Sequence, residues 1–149
     1  MNRRKFLKQS CSACLAVAAM PLILDSCLAI SNSTGRLTDK GLVLRADDFL
    51  LKDSKGSAYR ASLIVRNDKL KYPICVYRTS DKDYNAIWMQ CSHQGAELQA
   101  AGDQLHCPAH GSEFNKKGVV TAGPADVNLR TFPVTVNGNE IFIDLQKQS

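Results

Sequence analysis

Two short motifs, each containing one cysteine and one histidine, constrain this chain of 149 residues more than any other feature. The motifs are Cys91–Ala96, with the sequence CSHQGA, and Cys107–Ser112, with the sequence CPAHGS. Only 13 residues separate the first histidine from the second cysteine. Thiolates and imidazoles are the side chains that bind soft and borderline transition metals. The pattern therefore predicts that two tight loops carry the ligands of one metal centre, which are Cys91, His93, Cys107 and His110.

The region from Cys91 through Ala125 resembles Rieske proteins, and particularly the iron–sulfur subunits of cytochrome bc complexes and their exported relatives. The stretch Cys107–Phe114 is similar to that family's second cluster loop, and Gly118–Ala125 is similar to its Gly-Pro loop, which shields the cluster. The resemblance implies one [2Fe–2S] cluster per chain, with two thiolates on one iron and two imidazoles on the other. The four motif side chains supply that ligand set.

Five further residues are implied in the surroundings of the cluster. Gly95 and Gly111 follow the histidines, where each loop must turn sharply and point backbone N–H groups toward sulfur. Ser112 is expected to donate its hydroxyl to a bridging sulfide, and Gly123 with Pro124 is expected to cover the cluster. Neutral imidazole leaves less negative charge around the irons than thiolate does. The resemblance therefore implies a potential of about −150 to +300 mV, compared with about −400 mV for all-cysteine plant-type clusters.

Three positions depart from the bc-complex pattern. The chain has Ala96 and Ala109 where that family usually has two cysteines that cross-link the cluster loops. It also has Phe114 where the family has a tyrosine whose hydroxyl bonds a cysteine sulfur. Without that donor the cluster is harder to reduce, so we expect a potential in the lower to middle part of the Rieske range. In these respects the chain is closer to Rieske ferredoxins.

A zinc site with two cysteines and two histidines is the alternative that the ligand types alone allow. Ser112, Gly123 and Pro124 have no role in such a site, which favours the iron–sulfur cluster. His106 directly precedes Cys107, and neighbouring residues of an extended strand point to opposite faces. It is therefore predicted to be a surface or core histidine rather than a fifth ligand.

The cluster predicts one-electron transfer, either by an exported carrier or by the small subunit of a membrane-associated oxidoreductase without substrate chemistry of its own. The expected partners are redox proteins, such as a membrane cytochrome or another oxidoreductase subunit. Three alternatives stay open: a quinol-oxidising iron–sulfur subunit of a cytochrome bc-type complex, a Rieske ferredoxin serving an oxygenase, and a non-redox zinc-binding protein.

The formal charge of the chain is +5, and four of its positive charges come from Arg3, Arg4, Lys5 and Lys8. Charges of both signs are mixed along the rest of the chain, which gives no indication of nucleic-acid binding.

Residues 1–27 have the features of an export segment. Arg3 and Arg4 precede an apolar stretch from Cys11 to Leu24, an arrangement that resembles a twin-arginine signal. A stretch of about 14 residues is shorter than the roughly 20 that span a bilayer, which favours a cleaved or anchoring signal. Cys27 follows a sequence similar to a lipoprotein cleavage site, so acylation there would tether the protein. We therefore expect export across the cytoplasmic membrane, and a periplasmic or other extracytoplasmic protein tethered to it.

The remaining chain predicts a linker over residues 28–39 and a Rieske-type domain over residues 40–146. Short apolar runs separated by turn residues predict strands at Leu42–Leu44, Ala61–Val65, Ile74–Tyr77, Ala86–Met89, Val134–Val136 and Glu140–Ile143. Asn137-Gly138 between the last two runs predicts a tight hairpin with positive φ. Cys75 and Trp88 are expected in the core. The expected fold is all-β, made of small antiparallel sheets with two cluster-binding loops.

Overall fold

The computed structural model describes residues 32–51 and 58–146, and within these ranges the chain forms β-strands, one 3₁₀ turn and no α-helix. The strands are β1 (Asn32–Ser33), β2 (Arg36–Leu37), β3 (Gly41–Arg45), β4 (Ser62–Val65), β5 (Ile74–Arg78), β6 (Tyr84–Trp88), β7 (Gln99–Ala101), β8 (Gln104–His106), β9 (Glu113–Asn115), β10 (Val120–Ala122), β11 (Thr131–Phe132), β12 (Val134–Asn137) and β13 (Glu140–Asp144). The 3₁₀ turn spans Ala46–Phe49. The predicted all-β class is confirmed.

The strands form three small sheets. The central sheet has the order β1-β4-β5-β6-β11, and a second sheet has the order β12-β13-β3-β2. The third, which we call the loop sheet, has the order β10-β9-β8-β7. Neighbouring strands are antiparallel except β1 and β4, which run parallel.

The central sheet is apolar on both faces and is therefore covered on both sides. Successive side chains of a strand point to opposite faces, and in β5 Ile74 and Val76 enter a first core while Cys75 and Tyr77 enter a second. The first core also contains buried side chains of the second sheet. The second core is shared with the loop sheet and contains Ile64, Cys75, Tyr77, Ile87, Met89, Cys91, Leu98, Leu105, Cys107, Phe114, Ala125 and Leu129.

The six predicted strands are present as β3, β4, β5, β6, β12 and β13. The predicted hairpin is also present, because Asn137 pairs with Glu140 and Gly138 has a φ of 58°. The strands of the loop sheet have three residues each, and β8 and β9 bury one side chain apiece. Such short strands carry no apolar alternation that a sequence pattern would reveal.

The structure differs from the prediction in part of the segment expected to be a linker. β1 and β2 both lie within residues 28–39, and β1 pairs with β4 through Asn32 and Ser33. The pairing depends on backbone groups, including an Arg66 N–H that donates to the Ser33 carbonyl at 2.9 Å. Polar side chains therefore do not prevent this segment from joining a sheet.

The predicted signal segment, residues 1–27 with Cys27, lies outside the described residues. Between residue 32 and residue 146, in the parts that the structure describes, no helix has the length and apolar character needed to cross a bilayer.

Cys75 and Trp88 occupy core positions, as predicted. Cys75 is fully buried in the second core, and burial raises the pKa of its thiol to about 12. Trp88 is partly buried against the first core, and its ring forms T-shaped contacts with the rings of Tyr72 and Phe132 at centroid distances of 5.9 Å.

We expect Cys75 to resist alkylation by iodoacetamide in the folded, metal-loaded protein at about pH 8, because only the thiolate is a good nucleophile. With a pKa of about 12 the thiolate is scarce, and the buried sulfur is closed to solvent. Peptide mass spectrometry measures the modified fraction, with the protein in denaturant as the control. Modification of the folded protein at the rate of that control would contradict the burial of Cys75.

Candidate metal centre

The two cysteine–histidine motifs form loops with the same backbone geometry. In each loop the cysteine N–H donates to the carbonyl five residues later, from Cys91 to Ala96 and from Cys107 to Ser112, both at 2.8 Å. A glycine N–H then donates back to each cysteine carbonyl, at 2.8 Å from Gly95 and at 3.0 Å in the second loop. These glycines have φ values of 75° and 78°, which other residues rarely adopt. Glycine four residues after cysteine is therefore what closes each loop.

The loops begin in the second core, where Cys91 and Cys107 are both buried. Burial alone raises the pKa of the Cys107 thiol. Hydrogen bonds from the Ala109 backbone, the Cys91 side chain and the His110 backbone outweigh burial and hold that pKa below its usual value. The second loop thus favours the thiolate, which is the form of cysteine that binds metal.

The two histidines lie side by side nearer the surface. The His93 and His110 rings are 5.0 Å apart between centroids and nearly perpendicular, at 88°. His93 is half-buried and His110 is exposed. The Nδ1 atom of His93 is buried without a hydrogen-bond partner. Because a buried polar atom without a partner costs free energy, a metal ion bound at this nitrogen would remove the deficit.

The four side chains thus form two pairs, with the thiols inside and the imidazoles outside. Among residues 32–51 and 58–146, no group of three or more histidine, cysteine, aspartate or glutamate side chains is placed to hold a single metal ion. A [2Fe–2S] cluster with mixed ligands needs two donors on each of two irons. The paired donors and the unpartnered imidazole nitrogen fit that requirement.

A third loop, Gly123–Leu129, lies against both metal-binding loops. The Ala125 N–H donates to the Ser112 hydroxyl oxygen at 3.0 Å, and Ser112 is fully buried. The Ser92 hydroxyl donates to the Val127 carbonyl at 2.5 Å. Gly123 and Pro124, joined by a cis peptide bond, are exposed at the start of this loop. Ser112 uses its oxygen as an acceptor here, so its hydroxyl proton is available for the predicted bond to a sulfide.

Two contacts of the first loop were not evident from the sequence. The Tyr72 hydroxyl donates to the Gly95 carbonyl at 2.7 Å, and it comes from a turn 23 residues earlier. Ser92 bonds a residue 35 positions later. Nothing in the two motifs indicates either partner, because the contacts depend on how the central sheet and the third loop pack.

The structure also describes the other positions discussed in the sequence analysis, which are His106, Ala96, Ala109 and Phe114. His106 lies on β8 with its Nδ1 3.9 Å from a carboxylate oxygen of Glu113, at a half-exposed position beside β9. Ala96 packs partly buried against the second core, and Phe114 is fully buried within it. Ala109 is exposed. Within the described part of the chain the cysteines are free thiols, so no disulfide joins the two loops there.

Comparison with known proteins agrees with this geometry. A family model described as the Rieske [2Fe-2S] domain matches residues 51–133, which include all three loops. The chain is 35% identical over 80 residues to ferredoxin CarAc of Metapseudomonas resinovorans, a match that covers 51% of this chain and 74% of the relative. It is 34% identical over 65 residues to the cytochrome b6-f complex iron-sulfur subunit of Synechococcus sp. (strain RCC307), covering 42% of this chain and 35% of that relative.

One protein of solved structure is also similar in sequence. The cyanobacterial plasma membrane Rieske protein PetC3 from Synechocystis is 29% identical, with a TM-score of 0.49, over 56% of this chain and 86% of that one. The matched family region covers more than half of the 149 residues. The chain therefore belongs to the Rieske [2Fe–2S] domain family and is an electron carrier with a Rieske-type [2Fe–2S] cluster.

Proposed function

We propose that this protein passes single electrons between redox proteins on the extracytoplasmic side of the bacterial membrane. In this proposal Cys91 and Cys107 bind one iron of the cluster, and His93 and His110 bind the other. The observation that carries it is the pairing of the four donors, with two contacting thiols in the core and two adjoining imidazoles toward the surface. The unpartnered His93 Nδ1 is the nitrogen that metal binding would satisfy.

The surroundings of the two pairs suit a carrier. The cluster, when bound, accepts and releases one electron. The thiol pair lies among apolar side chains of the second core, which exclude water from the sulfur side. Backbone hydrogen bonds from Ala109 and His110 stabilise negative charge on Cys107. Because His110 is exposed, a partner protein can contact its ring without any opening of the domain.

The extracytoplasmic location rests on the sequence before residue 28. Arg3 and Arg4 with the following apolar stretch support recognition by a twin-arginine export system. That route suits a protein whose cluster is inserted before export. Either a retained signal or a lipid on Cys27 would then tether the domain to the membrane.

A quinol-oxidising subunit of a cytochrome bc-type complex is the second candidate, favoured by the matches to cytochrome b6-f iron-sulfur subunits. Those matches span about a third of each relative's length, whereas the match to a ferredoxin spans 74% of it. A ferredoxin serving an oxygenase would act in the cytoplasm, and the twin arginines disfavour that location. Co-purification from solubilised membranes distinguishes the quinol-oxidising subunit from the carrier. A stable complex with a cytochrome b indicates the quinol-oxidising role, and recovery without a cytochrome b indicates a carrier.

We expect the purified protein to contain about two irons and two labile sulfides per chain. Cys107→Ser and His110→Ala should each abolish cluster binding, because either change leaves an iron open to water. His106→Ala is the matched control and should retain the full iron and sulfide content, since its ring lies beside Glu113. Iron and sulfide analysis with visible spectroscopy measures the result. One zinc and no sulfide in the wild-type protein would refute the assignment.

We also expect that replacing both Arg3 and Arg4 with lysine holds the protein in the cytoplasm with its cluster already bound. The export receptor reads the arginine pair rather than charge alone, so lysine is a poor substitute. Cell fractionation with immunoblotting measures the distribution, and Arg36→Lys in the folded domain is the control. Normal export of the double variant would show that the signal is not of the twin-arginine type.

A further inference from the structure

Among the described residues, the third loop forms side-chain hydrogen bonds with both metal-binding loops. Ser112 of the second loop accepts from the Ala125 N–H at 3.0 Å. Ser92 of the first loop donates to the Val127 carbonyl at 2.5 Å. The two bonds lie two residues apart on the third loop, so they connect the first loop to the second through a short piece of backbone.

The ends of the third loop are held by packing, but its middle is not. Ala125 and Leu129 are buried in the second core, and the Leu129 N–H donates to the Gly118 carbonyl at 2.8 Å. Asn128 accepts from the Val120 N–H at 3.1 Å through its side-chain oxygen. Val127, in contrast, is 60% exposed, so its side chain contributes little packing. Val127 instead contacts the first loop through its backbone carbonyl, which accepts the hydrogen bond from the Ser92 hydroxyl.

Apart from the direct contact between the Cys91 and Cys107 side chains, the two metal-binding loops are held by different parts of the fold. The first is held from behind by the Tyr72 hydroxyl on the Gly95 carbonyl, and the second rises from the β8–β9 hairpin. Ala96 and Ala109 cannot cross-link the loops, and the cysteines of the described residues are free. Among the described residues, no disulfide joins the two metal-binding loops, and the third loop connects them through noncovalent contacts.

We infer that Ser92 is a positioning residue, which locks the first loop to the third loop through the Val127 carbonyl and so limits access of water to the metal-binding side chains. Ser92 lies between Cys91 and His93 in the chain, so movement of its backbone moves both neighbours. Breaking the bond frees the exposed middle of the third loop. This inference rests on the proposed ligand assignment, because it takes the cluster to lie between the loops that Ser92 and Ser112 connect.

The test is the rate at which the loaded, full-length protein loses iron to an excess of chelator, followed by the decay of its visible absorbance. Ser92→Ala should release iron about three- to tenfold faster than the wild type, the effect of one hydrogen bond. Ser92→Thr keeps the hydroxyl and should release iron at the wild-type rate. Ser80→Ala removes a hydroxyl from the exposed turn between β5 and β6, at the end of β6 opposite to the first loop, and should also match the wild type.

A double variant tests whether the third loop joins the two sites. Ser112→Ala should also speed the loss of iron. The rate increase in the double variant should be smaller than the product of the increases in the two single variants. Releasing either end already frees the shared segment, so the second change adds less.

Three outcomes would overturn the inference: a wild-type rate in Ser92→Ala, equally fast loss in Ser92→Ala and Ser92→Thr, or independent effects in the double variant. In each case a wild-type protein with two irons and two sulfides leaves the proposed function intact. A wild-type protein without a [2Fe–2S] cluster would instead refute the proposed function and this inference together.

Discussion

The burial of both cysteines in the second core is the constraint on which the proposed metal centre depends. Cys91 and Cys107 are part of the same apolar cluster as Leu105 and Phe114, whose strands carry the second loop. The Tyr77 hydroxyl, from the central sheet, donates to the Gln104 carbonyl of the loop sheet at 3.3 Å. Packing of the loop sheet on the central sheet therefore sets where the thiols lie, and the motif loops extend outward from that position.

This arrangement divides the site into an inner and an outer half. The inner half has thiols in apolar surroundings, with backbone and side-chain hydrogen bonds that hold the Cys107 pKa below its usual value. The outer half has His93 and His110 in contact at the surface. A cofactor bound by these side chains as proposed would be shielded from water on the sulfur side and accessible to a partner on the imidazole side, as an electron carrier requires.

Much of the central fold could be predicted because its strands bury apolar side chains at successive positions. In β5, Ile74 and Val76 face one core and Cys75 and Tyr77 the other, so the whole run is apolar. The loop sheet escaped prediction because its strands are short and bury few side chains. β1 was not predicted because it pairs with β4 through backbone groups, which leave no pattern in the side chains.

The two cysteine–histidine motifs could be recognised as candidate metal ligands because four possible donors and two glycines lie within short, fixed spacings. The contacts that hold these motifs in place could not be recognised from the sequence, because each of them joins distant parts of the chain. Tyr72 reaches Gly95 across 23 residues, and Ser92 reaches Val127 across 35. Those pairs are determined by tertiary packing, and no local pattern in the sequence encodes them.

Pulsed electron paramagnetic resonance of the reduced protein labelled with ¹⁵N-histidine tests the central claim most directly. If His93 and His110 both bind one iron, the spectrum should show strong coupling to two histidine nitrogens, in His106→Ala as well as in the wild type. A reduced cluster without coupling to histidine nitrogen would contradict the account, because the two imidazole positions would then have to be filled by other ligands.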